Sequence, residues 1–420
     1  MMISRFGHVD MPDDRRAING YWIVRCTIVA ATQIIVLSSR GLDQYLTGIR
    51  TPAEVEKLIS LNGELMYIIS KRDERERALK TITRIKYQDD VVGIMRVLVT
   101  DKDEDMPPLY HGETKSKDHL DVLTGKRVLL LISGIDIPSE DIESIKRATV
   151  DTEKDEIVWI PVINRLIAGL DRVKNEIETL QNSMSWYSVQ PSRVTDHASY
   201  FFELEWGFRG TPMLVLLSPW GRLLRHGALD MVRIWQNLSV DNLTRDMERQ
   251  LWKKETWNLK LLVNDIIDPI IQKWIEDERY IIMYGGDDID WIRRFTRQVQ
   301  SVASDLQVRI EMVYVGNRHN KDLGRGRRVQ DVILIEQLSH CLPESSMAYF
   351  WKRFDSIIKS KRTYSSKENL LFQEMLRFHS YEDWALLAKG STILFNGPGQ
   401  IASNALNIWR DGRQHCYIHT

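Results

Sequence analysis

Apolar residues in this chain fall into two alternating patterns. Short unbroken runs bounded by Gly, Pro or charged residues predict buried strands at Arg127–Ser133 (RVLLLIS), Glu156–Ile163 (EIVWIPVI), Met184–Val189 (MSWYSV) and Met213–Leu217. Between these runs the apolar residues recur every three or four positions. Leu166, Leu170, Val173, Ile177 and Leu180 share one helical face, and Pro138–Asp141 supplies residues that start a short helix. Helices over Tyr200–Phe208 and Ala228–Leu238 complete the alternation. Strands alternating with helices predict a largely parallel sheet covered on both faces, an α/β architecture. Within it, Gly210–Leu224 predicts a strand, a tight turn and a second strand. Ser218-Pro219-Trp220-Gly221 carries Pro second and Gly fourth, as a type I turn does, and Thr211–Pro212 sits where a cis peptide is plausible but not dictated by the sequence. Thr211, Pro212 and Gly221 are therefore its structural key positions.

On either side of this unit the pattern changes. Towards the N-terminus, Tyr21–Leu37 is an apolar helix interrupted by Arg25 and Gln33, which favours a core helix over a membrane span. Thr51, Pro52 and Glu54 form a capping box ahead of Val55, Leu58, Ile59, Leu65, Met66 and Ile69 at helical spacing. With a second apolar stretch at Val91–Val99, residues 1–100 predict a helical domain. Residues 101–121 are polar, contain Pro107-Pro108 and read as a linker. Residues 122–240 hold the alternating unit.

Residues 241–420 predict a C-terminal α/β domain. It starts with helices over Asp241–Trp274, then a strand at Tyr280–Tyr284, a helix through Trp291, Phe295 and Val299, and a strand at Val308–Val315. Strand, Asp-containing turn, helix also describes Leu131–Ile145, which raises a βαβ internal repeat. Helices near Met347–Ile358 and Asn369–Leu376, a strand at Ser391–Phe395, and Gly397-Pro398-Gly399 before a helix over Ile401–Trp409 close the chain.

Composition narrows the function. The 420 residues are 43% hydrophobic and 27% charged with a net charge of −1, enough core for several domains and no field favouring nucleic acid or an anionic membrane. Three distant cysteines, Cys26, Cys341 and Cys416, exclude a disulfide framework and a Cys-x-x-Cys pair, and suit a reducing cytoplasm. Asp10, Asp13 and Asp14 exclude a cationic secretory leader.

The order of strands and helices up to the hairpin is that of an expanded thioredoxin-like domain. A redox thioredoxin places two cysteines after its first strand, where a helix N-terminus lowers the thiol pKa. Here that place reads Gly134-Ile135-Asp136-Ile137-Pro138-Ser139, so the domain is expected to be redox-dead. Asp287, Asp288 and Asp290 form the one acidic cluster of interest. It reads as a helix cap or, alternatively, as a calcium-type carboxylate site, and three acids there would repel phosphate. His111, His119, His415 and His419 lack partners at ligand spacing. Lys321–Arg328 reads as a flexible basic loop without interleaved aromatics. Trp235, Trp252, Trp257, Trp274 and Trp291 read as core anchors, with an interface role as the alternative. No nucleophile elbow, metalloprotease His pair or kinase set is present.

Several blocks together resemble one family: WIVRCTIVAATQ (22–33), LLLISGIDIPSEDI, EIVWIPVI, MSWYSV, GTPMLVLLSPWGRLL, LWKKETWNLKLLV, DPIIQKWIEDERYIIMYGGDDIDWIRRFT and EMVYVGN. They are similar to the plant sieve element occlusion proteins, the phloem filament proteins that include forisome subunits. The resemblance implies a helical N-terminal domain, a thioredoxin-like domain without redox cysteines, and a C-terminal domain. It also implies no enzyme activity, and assembly with itself and related subunits into plugs that seal sieve elements after wounding. Against that pattern the chain reads as shortened at both ends. The competing expectations are a redox regulator using Cys26, Cys341 or Cys416, and a calcium-responsive module at the three aspartates.

Overall fold

The structure, a computed structural model, describes residues 80–407 apart from 86, 100–106, 149, 152, 164–170, 319–322 and 365–375. The chain divides into two compact units, Met1–Leu79 and Lys80–Thr420, and the described residues belong to the second. The expected helices at Tyr21–Leu37 and after Thr51, the one near Asn369, and the C-terminal histidines lie outside them.

The first sheet has seven strands. Its core is β3 (Arg127–Ser133), flanked on one side by parallel β4 (Asp155–Pro161) and then β5 (Tyr187–Val189). On its other side β6 (Met213–Leu217) and β7 (Leu223–Arg225) run antiparallel. Beyond β5 lie β1 (Leu109–His111) and β2 (Lys117–Asp118). Residues 109–118 are thus sheet strands rather than linker. Val128, Leu130 and Ile132 of β3 face one core, shared with α1 (Val91–Leu98) and α4 (Asp196–Trp206). Leu129 and Leu131 face another, shared with α2 (Ser139–Lys146), α3 (Asp171–Ser183) and α5 (Ala228–Ile234). Every second side chain of a strand points to the same face, so one unbroken apolar run fills both cores. Helix α1 is started by Asp90, whose carboxylate accepts from Gly93 N at 2.6 Å. The end of the expected helical domain therefore belongs to the core of the first sheet.

Three helices, α6 (Arg245–Lys254), α7 (Leu259–Leu262) and α8 (Pro269–Glu276), lead to the second sheet. Here β8 (Tyr280–Gly285) is followed by α9 (Ile289–Leu306), parallel β9 (Ile310–Tyr314), α10 (Leu323–Ile335), parallel β10 (His340–Cys341) and the long α11 (Glu344–Tyr364). The antiparallel pair β11 (Trp384–Lys389) and β12 (Thr392–Pro398) completes the sheet ahead of a helix over 399–407. The basic stretch read as a flexible loop is helical from Leu323.

The order β10-β9-β8-β11-β12 repeats the order β5-β4-β3-β6-β7. In both, the first three strands are parallel and the last two antiparallel, the arrangement of a thioredoxin-like sheet. The repeat suggested by one strand–turn–helix thus extends to a whole five-strand topology, carried twice.

Candidate functional sites at the sheet ends and the domain seam

The place of a redox pair in the first domain is the loop after β3. Ser133 accepts a hydrogen bond from Trp159 Nε1 at 2.9 Å and donates to the carbonyl of Gly134 at 2.9 Å. The helix that follows, α2, faces the second domain instead of a substrate. Its Asp141 is fully buried and takes two hydrogen bonds from Arg233, Nε to Oδ1 and Nη2 to Oδ2, both 2.6 Å. Ser144 and Tyr349 of α11 share a 2.6 Å hydrogen bond, and Arg147 reaches Asp265 at 2.7 Å. Among the described residues the one free cysteine is Cys341 in β10. Burial pushes its thiol up to about 11, so it stays protonated and a poor nucleophile at neutral pH. Cys26 and Cys416 lie outside the described residues.

The seam between the two sheets is polar and buried. Arg353 of α11 donates to Leu261 O at 2.8 Å, Ile234 O at 3.0 Å and Lys260 O at 3.1 Å, and also to Arg233 O. These carbonyls end α5 and α7, where helices leave acceptors without intrahelical donors. A single guanidinium thus closes two helix C-termini, and its charge suits their dipoles. Burial lowers its pKa to about 10, which leaves it charged at neutral pH. A second cluster surrounds the buried Glu248 of α6. Arg225 of β7 and Ser360 of α11 both donate to it, Tyr364 donates at 2.6 Å, and Trp252 donates to Ser360 at 2.8 Å. Hydrogen-bonded charges of this kind hold two surfaces in one orientation, because any slip would leave a buried group unpaired.

The corresponding end of the second sheet holds the acidic cluster. Asp288 caps α9, accepting from Asp290 N at 2.9 Å and Trp291 N at 3.2 Å. Asp290 lies 3.5 Å from Arg293 one turn on. Across from them is Asp383, in the loop before β11, and sequence reading missed it because it lies about a hundred residues away with no motif around it. Its position depends on two glycines. A Cβ on Gly286 would overlap its carboxylate, and one on Gly399 would come within 3.0 Å of its Cβ. Burial, together with Asp288, Glu382 and Asp287, raises its pKa to about 6. These five acids line an open cavity of about 760 Å³ that also includes Ile289, Val329, Tyr381, Arg318 and Arg328. Among the described residues no three His, Cys, Asp or Glu side chains converge at metal-holding geometry.

The hairpin forms where the sequence predicts it. Gly221 N donates to Ser218 O at 2.9 Å, and Ser218 N donates to Arg222 O at 2.8 Å. Gly221 has φ +69°, a conformation costly for other residues, and a Cβ there would overlap Ile94 of α1. Pro219 O accepts from Val91 N at 3.0 Å, so the turn seats the first turn of α1. The Thr211–Pro212 bond is trans, as no cis peptide occurs among the described residues. The trans form is intrinsically favoured, and Thr211 is exposed with no packing to reverse that preference. Trp252 and Trp291 are buried anchors of the second core, with Trp235, Trp257 and Trp274 packed against it. Trp220, at the hairpin tip, is 68% exposed. His111 packs edge-on against Tyr187, with centroids 4.7 Å apart.

Comparison with known proteins adds the decisive observation. Residues 246–417 match the family described as sieve element occlusion C-terminus. Sieve element occlusion protein B of Arabidopsis thaliana is 32% identical over 414 residues, 91% of this chain and 55% of that protein. Protein A of the same plant is 30% identical over 93% of this chain and 51% of its own length. The chain belongs to the sieve element occlusion family. It spans about half the length of these two relatives. Among solved structures it is similar to tryparedoxin I from Leishmania major, at 17% identity over 31% of this chain and 85% of that one, with a TM-score of 0.23. A thioredoxin domain of a thiol-disulfide oxidoreductase from Bacteroides vulgatus covers 35% of this chain and 95% of its own, at 17% identity and a TM-score of 0.19. No helix among the described residues is long and apolar enough to cross a membrane.

Proposed function

We propose that this chain is a non-enzymatic structural protein of the phloem, which assembles with itself and related subunits into filaments or plugs in the cytoplasm of sieve elements and occludes them after wounding. The observation that carries the reading is the use made of helix α2. In a redox enzyme of this topology that helix presents thiols to a substrate. Here its Ser144 and Arg147 are committed to Tyr349 and Asp265 of the second domain, and its Asp141 is buried against Arg233 of α5 in its own domain. The one thiol among the described residues is half-buried, and that burial keeps it protonated at neutral pH. Family membership supplies the tissue, and two sheets joined by buried hydrogen-bonded charges supply a stiff unit suited to repetition.

The test is in the plant. A fluorescently tagged chain expressed in phloem is expected to collect at sieve plates within minutes of wounding. A signal that stays diffuse before and after injury would overturn the occlusion role.

A further inference from the structure

Two exposed surfaces, one on each domain, are complementary. At the hairpin tip, Trp220 is 68% exposed, with Leu223 at 43% and Leu224 at 50% on β7, the outer strand of its sheet. Exposed Arg222 stands between them. The turn is stiff, because Ser218 closes it through its backbone and through its Oγ, which accepts from Arg222 N at 3.0 Å. A Trp and an Arg on a preorganised tip are the residue types that dominate binding hot spots.

The cavity beside α9 has the opposite character. Its carboxylates outnumber its guanidinium groups five to two, and one of those two, Arg318, turns to Asp355 at 2.5 Å. Ile289, Val329 and Tyr381 give it an apolar wall. Burial first, and then the charges of Asp288, Glu382 and Asp287, push the Asp383 carboxyl up, against a smaller opposing pull from Arg294.

We propose that the Ser218–Arg222 turn of one copy docks in the Asp383 cavity of a second copy of this chain, with the Arg222 guanidinium among the carboxylates and the Trp220 indole against the apolar wall. The proposal rests on the self-assembly reading above and names its contact. Tip and cavity are different surfaces, so the contact is heterologous. A copy that fills its neighbour's cavity leaves its own cavity open, and repetition extends a filament. Pairing tip with tip would instead bring like charges together.

Sedimentation velocity on the whole chain tests this with a charge swap. Arg222→Glu and Glu382→Arg each alter a side chain outside the core, and circular dichroism with thermal melting verifies their folds. Each variant alone is expected to raise the assembly threshold at least about tenfold. An equimolar mixture is expected to assemble again, because each variant's tip then meets an opposite charge in the other's cavity. Single variants that assemble at the wild-type threshold, or a mixture that does not recover, overturn the docking pair and leave self-assembly standing. A wild-type chain that stays monomeric at every concentration overturns both.

Discussion

Replacing Arg353 by Met tests the seam between the two sheets. The substitution keeps most of the stem and removes a guanidinium that donates to Leu261 O, Lys260 O, Arg233 O and Ile234 O. All four carbonyls lie at helix ends, and the bonds to Leu261, Arg233 and Ile234 are buried, so water does not readily replace the lost donor there. Each hydrogen bond to a charged donor is worth about 1.5–3 kcal/mol net. Part of that is returned because the buried charge no longer has to be desolvated. Deleting one partner of a buried charged network costs about 3–5 kcal/mol, and that is the expected loss. For a unit of about 340 residues it corresponds to a fall in Tm of about 4–7 °C. Urea titration followed by tryptophan fluorescence reads the change, since Trp252 donates to Ser360 in the same seam. Arg353→Lys is expected to recover only part of the loss, because one ammonium cannot reproduce the planar fork. A Met variant within about 1 kcal/mol of wild type would refute the view that this residue joins the domains.

Three further outcomes are expected. Gly221→Ala combines a left-handed φ of +69° with overlap on Ile94, and should destabilise by about 1–3 kcal/mol in a denaturant titration. Asp383, with a folded pKa of about 6 above its unfolded value, destabilises the fold fully above pH 6, and the penalty is relieved as pH falls through 6 towards the unfolded pKa. The urea midpoint should therefore gain from this group between pH 7 and 5, and Asp383→Asn should abolish that gain. Cys341, its thiol pushed up to about 11, should react with iodoacetamide at pH 7.5 far more slowly than a free cysteine until the protein is unfolded, as read by peptide mass spectrometry.

The first sheet was readable because its strands are unbroken apolar runs, and such runs have few alternatives in a core. Strands β1 and β2 escaped notice because three and two residues in a Pro-containing polar stretch carry no periodic signal. β1 is defined by pairing to β5, which lies about eighty residues away, and β2 by pairing to β1. In the second sheet, β8 and β9 were legible for the same reason as β3. β10, at two residues, was not, and Gly324 and Gly326 disguised the start of α10 as a loop. The capping role of Asp288 follows from its place before α9, and the structure places it there. Its neighbour Asp383 and the whole seam were illegible. Asp141, Arg233, Glu248 and Arg353 look like ordinary charges on solvated helix faces until the fold brings them together. Local pattern encodes elements, whereas buried charge pairs are encoded only in the tertiary arrangement.

Negative-stain electron microscopy of the purified chain, concentrated without partners, tests the central claim most directly. The account predicts filaments with an axial repeat set by one two-sheet unit. A field of dispersed monomers at all concentrations and salt conditions would contradict it.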